Sequence, residues 1–182
     1  MMEQTGEKKV PLLEMQGFRV LFPGRKGPMA AVDGVDLSIY PGEIVGVVGE
    51  SGSGKSVMSQ SILRLREYET SLRYEGSIRF EGQDLLQLPL SALRQIRGNR
   101  ISVIFQDPLT SLSPVHTVGK QMGEVLRLHK KLSRKEALER SGELLHLVGI
   151  PDPARCLRQY PYELSGGMQQ RVMIAMALAC EP

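Results

Sequence analysis

The sequence has no tryptophan, and aromatic residues make up only 5% of its 182 positions. Proteins that hold single-stranded nucleic acid interleave stacking aromatics with a strongly basic groove. Here the formal net charge is only +3. The densest basic clusters, Arg94, Arg97, Arg100 and Lys130, Lys131, Arg134, Lys135, fit solvated helix faces. Nucleic acid is therefore not an expected partner. Cysteine is limited to Cys156 and Cys180, without a C-x-x-C spacing, and His116, His129 and His146 are scattered. These thiols read as free cytosolic cysteines, and no metal site is expected from protein side chains alone. No apolar run approaches the roughly 18 to 20 residues that span a bilayer, and MMEQTGEKKVP lacks the apolar centre of a signal peptide. The chain is expected in the cytoplasm, at most docked on a membrane protein.

What is present is ordinary globular composition, with 41% hydrophobic and 24% charged residues, enough for one α/β core and a small subdomain. The organising stretch is residues 44 to 56, IVGVVGESGSGKS, where a β-branched apolar run stops at a glycine-rich turn ending in Lys-Ser. Gly49, Gly54, Lys55 and Ser56 fill G-x-x-x-x-G-K-[ST], the phosphate-binding loop pattern. Gly49, Gly52 and Gly54 let the backbone turn tightly and aim successive N–H groups at phosphate oxygens. The following helix adds its positive N-terminal end. Lys55 can reach the outer phosphates as a point charge, and Ser56 offers the hydroxyl oxygen that a hard cation such as Mg²⁺ prefers. The expected nucleotide contacts are Gly49, Glu50, Ser51, Gly52, Ser53, Gly54, Lys55, Ser56 and Val57. A solvated Gly/Ser-rich surface turn is the bland alternative, and the apolar strand before it argues against that.

Residues 1–9 are polar and read as frayed, and residues 10–20 alternate as a first strand. Residues 32–39, VDGVDLSI, alternate with period two and end at Pro41-Gly42, a half-buried strand and a turn. A helix is expected over 56–66, a strand over 76–80 and a short helix over 89–97. ISVIF, residues 101–105, is a continuous apolar run of the buried parallel-strand kind, as is 44–48. Strand signals then stop until about Leu164. Residues 118–128 and 133–148 carry helical periodicity, and Ser133 with Glu136 forms a capping box. Ser165-Gly166-Gly167 opens a last helix running to Cys180, and an N-cap serine ahead of a close-packed helix would explain it equally well. The expected organisation is a P-loop core with an antiparallel β subdomain over 1–106, a helical subdomain over 107–164, and a signature helix over 165–182.

With the loop and LSGGMQQR both in view, the chain resembles the ATP-binding subunit of ABC transporters, in the oligopeptide, dipeptide and nickel importer branch. The further marks are AVDGVDLSI, IRGNRISVIFQDPLTSLSP and YPYELSGGMQQRVMIAMALACEP, so the likeness covers residues 10–182. Met168 precedes the glutamines where the commonest signature has glutamine. Ser113 stands where Asn is commoner, and Tyr162 where His is. The resemblance implies an α/β P-loop NTPase fold and, as ligands, ATP with Mg²⁺. Phe22 would stack on adenine, a core phenylalanine being the even alternative. Gln106 would sense Mg²⁺ and the γ-phosphate, and Asp107-Pro108 continues that loop. Ser165, Gly166, Gly167, Met168 and Gln169 would meet ATP held by a partner protomer.

The implied partners are transmembrane permease subunits, a second ATP-binding subunit, identical or not, and indirectly a substrate-binding protein outside the membrane. The implied location is the inner face of the cell membrane. The family continues past the position of Glu181-Pro182 into its Walker B strand, catalytic carboxylate, D-loop and switch histidine. The resemblance thus implies a chain truncated before Walker B, with no catalytic residue among these 182. Two readings stand side by side, the ATPase of a peptide or nickel importer and a fragment that binds ATP without hydrolysing it. The ABC-type ATPases of chromosome maintenance separate the two motifs by long coiled coils, whereas only residues 57–164 intervene here. If the family's strand order holds, two absent strands leave 44–48 and 101–105 unpaired with each other, with apolar edges exposed.

Overall fold

A computed structural model describes residues 10–25, 27–66, 72–106 and 111–182. Residues 1–9, expected to be frayed, and Asp107 and Pro108 lie outside the described residues. The chain divides into two compact units, one ending at Leu93 and the other beginning at Arg94.

The first unit is built on an antiparallel four-stranded sheet in the order β2-β1-β3-β4. Its strands are β1 (Leu13–Phe22), β2 (Met29–Ile39), β3 (Arg73–Phe80) and β4 (Gln83–Asp84). β1 is central and buries Leu13, Met15, Phe18 and Val20. Met15 and Phe18 are three apart instead of two, so strict alternation would put them on opposite faces. A register shift between Met15 and Phe18 against β2, and between Gln16 and Arg19 against β3, absorbs the extra residue. Such a bulge resets the phase and keeps both side chains in the core. Its corner is pinned by the Gly17 N–H, which donates to Asp36 Oδ1 at 2.6 Å. Ile78 and Leu85 complete the layer, with Met58 of helix α1 (Lys55–Ile62) also buried. The chain turns on from α1 through Arg66, and Arg64 Nη1 donates to the carbonyl oxygens of Leu85 and Leu88 at 3.2 and 2.6 Å. Helix α2 (Leu90–Ile96) spans the division between the units.

The second unit is helical: α3 (Val118–Lys130), α4 (Arg134–Leu147), α5 (Pro153–Cys156), a 3₁₀ turn (Pro161–Glu163) and α6 (Gly166–Leu178). Val118, Met122 and Leu126 recur every fourth residue on α3 and are all buried. They pack with Leu144 and Leu145 of α4 and Val172, Met173 and Ala175 of α6 in one apolar cluster. The capping box at α4 forms as read: Ser133 Oγ accepts from the Glu136 N–H, and the Glu136 carboxylate accepts from the Ser133 N–H. α4 ends in a Schellman motif, with Gly149 N–H donating to His146 O and Ile150 N–H to Leu145 O. Gly149 has φ +77°, which glycine adopts without the penalty of a side chain. Arg171 Nη1 then donates to the Gly149 carbonyl at 2.5 Å, tying α6 to this corner.

Two expected elements do not form. Residues 44–48 run without secondary structure, and Ile44 and Val48 are 99% and 95% exposed. Residues 101–105 contribute only an isolated parallel bridge from Ile101 to Arg97, and Ile104 and Phe105 are exposed. No parallel sheet is present among the described residues. The physical reason is that a strand has no hydrogen bonds of its own and exists only where neighbours complete its ladder. An apolar run states that a segment wants cover, not that cover is present.

Candidate functional site

The glycine loop leaves the extended 44–48 segment at Gly49, turns through Ser51 to Gly54, and opens directly into α1 at Lys55. Within the turn the Ser53 N–H donates to Glu50 O at 3.2 Å. Gly54 is the N-cap, with φ +89° and no side chain to occupy the helix N-terminus. A Cβ there would lie 2.1 Å from the Ala31 carbonyl oxygen of β2, so the loop sits against the sheet edge at a distance that only glycine permits. The first turn of α1 carries no acidic side chain, which leaves its free N–H groups and dipole to attract an anion.

Lys55 Nζ folds back over the loop and donates to Gly49 O at 2.7 Å, Glu50 O at 2.6 Å and Ser53 Oγ at 3.2 Å. The ammonium thus already lies inside the ring of residues 49–55. Ser56 is exposed in the first turn of α1, while Val57 is half-buried and its carbonyl accepts from Ser61 Oγ at 2.6 Å. Gly49, Glu50, Ser51, Gly52 and Ser53 are exposed. An open cleft of about 680 Å³ runs between β2 and residues 45–49 and reaches Gly54, Lys55 and Met58. Phe22, in the same unit, ends β1 opposite Met29, with the Arg66 guanidinium carbon 5.7 Å from its ring centroid. Sequence reading did not single out Ala31 or Arg66. An abutting carbonyl and a cation over a ring are encounters across tens of residues, and no local pattern announces them.

The other expected residues belong to the second unit. Gln106 is exposed at a bend after 101–105. Ser165 caps α6 with extended backbone (φ −65°, ψ 156°), and its hydroxyl accepts from the Met168 N–H at a long 3.4 Å. Gly166 and Gly167 are exposed, and a Cβ at either would meet nothing within 4 Å. Alanine would favour an exposed helix by about 1 kcal/mol over glycine. Nothing within the described chain therefore calls for glycine at these two positions. Met168 is half-buried. Gln169 points inward, 3% exposed, and its Nε2 donates to Pro161 O at 2.8 Å and Leu164 O at 3.3 Å. Cys156 and Cys180 are buried, and burial pushes both thiols up. Among the described residues no cluster of His, Cys, Asp or Glu could hold a metal, and no helix is long and apolar enough to cross a membrane.

The sequence pattern of the family described as "ABC transporter" matches residues 32–182, from within β2 to the last residue. The chain belongs to the ABC transporter family. A relative from Sinorhizobium fredii named "Probable peptide ABC transporter ATP-binding protein" is 50% identical over 179 residues, covering 98% of this chain and 53% of its own length. The "Peptidoglycan transport ATP-binding protein" of Agrobacterium fabrum is 51% identical over 172 residues, which is 94% of this chain and 32% of that protein. This family member thus spans about half the length of the first relative and a third of the second. Among solved structures, a dimeric post-hydrolysis state of an ATP-binding cassette bound to ADP and Pi superposes with a TM-score of 0.81 at 29% identity, covering 93% of this chain and 70% of that one. The fold is accordingly that of an ABC cassette. Its antiparallel sheet and helices are formed here.

Proposed function

We propose that this chain is the ATP-binding part of an importer that carries peptides across the cell membrane. The observation that carries the reading is the loop of residues 49–56: free amides at the start of α1, a glycine against Ala31, and an ammonium already inside the ring. On binding, the phosphate oxygens of ATP replace the Gly49 and Glu50 carbonyls as partners of Lys55. The neutral amides of residues 50–56 take the remaining oxygens. The exposed Ser56 hydroxyl suits Mg²⁺, which would neutralise phosphate charge there, and the family likeness adds Gln106 to that shell. Phe22 supplies a ring face for adenine, for which the base must compete with Arg66.

The unexplained glycines at 166 and 167, with no acidic side chain in the first turn of α6, support a second phosphate contact made by Ser165, Gly166 and Gly167. That contact would reach ATP held by another ATP-binding subunit. Permease subunits and, through them, a substrate-binding protein complete the proposed assembly, on the inner face of the membrane. Peptide as cargo rests on the name of the Sinorhizobium relative, and nickel is the competing cargo of the branch. Phosphoryl transfer further needs a carboxylate to help hold Mg²⁺ and a group that orients the attacking water. Asp152 and Glu163 do not serve: Asp152 caps α5, and Glu163 accepts from the Tyr160 N–H. Turnover would need a carboxylate other than Asp152 and Glu163.

The test is uptake in cells that carry Lys55→Ala in the chromosomal gene. Labelled peptide uptake should fall to background while nickel uptake persists. Loss of nickel uptake alone would transfer the assignment to nickel, and normal uptake of both would overturn it.

A further inference from the structure

α6 begins with exposed Ser165, Gly166 and Gly167, and four residues after the serine comes a glutamine that is almost fully buried. Its amide is oriented without ambiguity, because the two neighbouring groups are carbonyl oxygens and a carbonyl can only accept. Nε2 therefore faces Pro161 O and Leu164 O, one hydrogen for each. That choice strands Oε1, which is buried without a partner. A buried acceptor left unpaired is destabilising, so the glutamine carries a cost that its two bonds to the turn must offset.

The clasped turn is otherwise held by short-range bonds. Tyr160 N–H donates to Glu163 Oε2 at 2.7 Å, Glu163 N–H to Tyr160 O and Leu164 N–H to Pro161 O, both at 3.0 Å. None of these joins the turn to the helix it precedes. Gln169 does: its side chain grips the turn on either side of Glu163, while its own N–H donates to Ser165 O at 2.9 Å. The serine is thus held between two anchors from one residue. Its hydroxyl, with only a 3.4 Å bond to the Met168 N–H, is left to an incoming partner.

We propose that Gln169 is a positioning residue, which sets Ser165 and the first amides of α6 in place for a phosphate by clasping the Pro161 and Leu164 carbonyls, and does not itself touch nucleotide. The functional half rests on the reading of Ser165–Gly167 as a phosphate contact to a second subunit. The experiment compares the 182-residue chain with its Gln169→Leu variant by amide hydrogen exchange, thermal unfolding and sedimentation with and without Mg-ATP. In Gln169→Leu the hydrogen-bonded amides of Glu163, Leu164 and Gln169 should exchange at least tenfold faster, with those of residues 50–56 unmoved and unfolding still cooperative. ATP-driven association should weaken at least tenfold.

Wild-type exchange at Glu163, Leu164 and Gln169 in the variant would overturn the proposal. So would acceleration spread evenly over residues 111–182, which would make Gln169 a plain core residue. A Ser165→Arg arm separates the two levels. Association as strong as wild type in Ser165→Arg, or none in the wild-type chain, sinks the phosphate-contact reading, and the exchange result then decides Gln169 by itself.

Discussion

The Lys55 ammonium and the Gly49 carbonyl are hydrogen-bonded at 2.7 Å across the mouth of the loop, so the lysine braces the turn that, on the proposed reading, it would share with a nucleotide. One charge does two jobs. It offsets the carbonyl oxygens of Gly49 and Glu50, and on the proposed reading it would be handed to phosphate.

Replacing Lys55 by alanine removes a charge-assisted contact of about 1.5–3 kcal/mol, a loss of roughly ten- to a hundredfold in ATP affinity. Fluorescence titration with an ATP analogue reads it directly. Unchanged affinity would remove the phosphate assignment.

Gly54→Ala should be more disruptive than its size suggests. The added Cβ meets the Ala31 carbonyl oxygen at 2.1 Å, and φ +89° must be held by a residue that resists it. Left-handed backbone alone costs about 1–2 kcal/mol for a non-glycine residue, and the clash adds to that. Thermal unfolding and nucleotide titration should both report the loss, whereas Gly166→Ala, which meets open space, should retain or raise thermal stability.

The exposed apolar residues at 44–48 make this segment a template for unwanted association. Val48→Thr should leave the unfolding midpoint unchanged, since surface changes away from packed features stay within about 0.5 kcal/mol. It should also raise the concentration at which light scattering remains monomeric. A fall in midpoint would mean that Val48 is covered in solution.

Ser133→Ala should cost the helical unit about 1 kcal/mol at neutral pH through loss of the α4 cap. Bonds from the Ser133 side chain and backbone hold the Glu136 carboxyl below its ordinary range. A lowered folded value means that the Glu136 contribution is complete above the ordinary carboxylate range and is lost as pH falls through the lower, folded value. The gap in denaturation midpoint between Ser133→Ala and wild type should therefore narrow from neutral to acid pH without closing, because the Glu136 N–H still donates to Ser133 Oγ when the carboxyl is protonated. A gap that stays constant with pH would show that the carboxylate takes no part.

Much that is decided within a few residues was legible in the sequence, although helix α5 and the 3₁₀ turn of Pro161–Glu163 were not read from it. Ser133 and Glu136 lie one helical turn apart, Val118, Met122 and Leu126 follow the helical period, and the loop from Gly49 to Ser56 announces itself by where side chains are absent. Short spacing fixes such geometry before any fold exists. Three matters were decided only by the folded structure, the first two through partners distant in sequence. Residues 44–48 and 101–105 have the composition of buried strands but form none, because a ladder needs hydrogen bonds that the segment does not contain. Glycine is required at 54 on account of the Ala31 carbonyl, 23 residues earlier in sequence, as well as for its φ. Gln169 stands in a motif whose neighbours face solvent, yet its amide turns inward, because the chain brings the carbonyls of Pro161 and Leu164 beneath it.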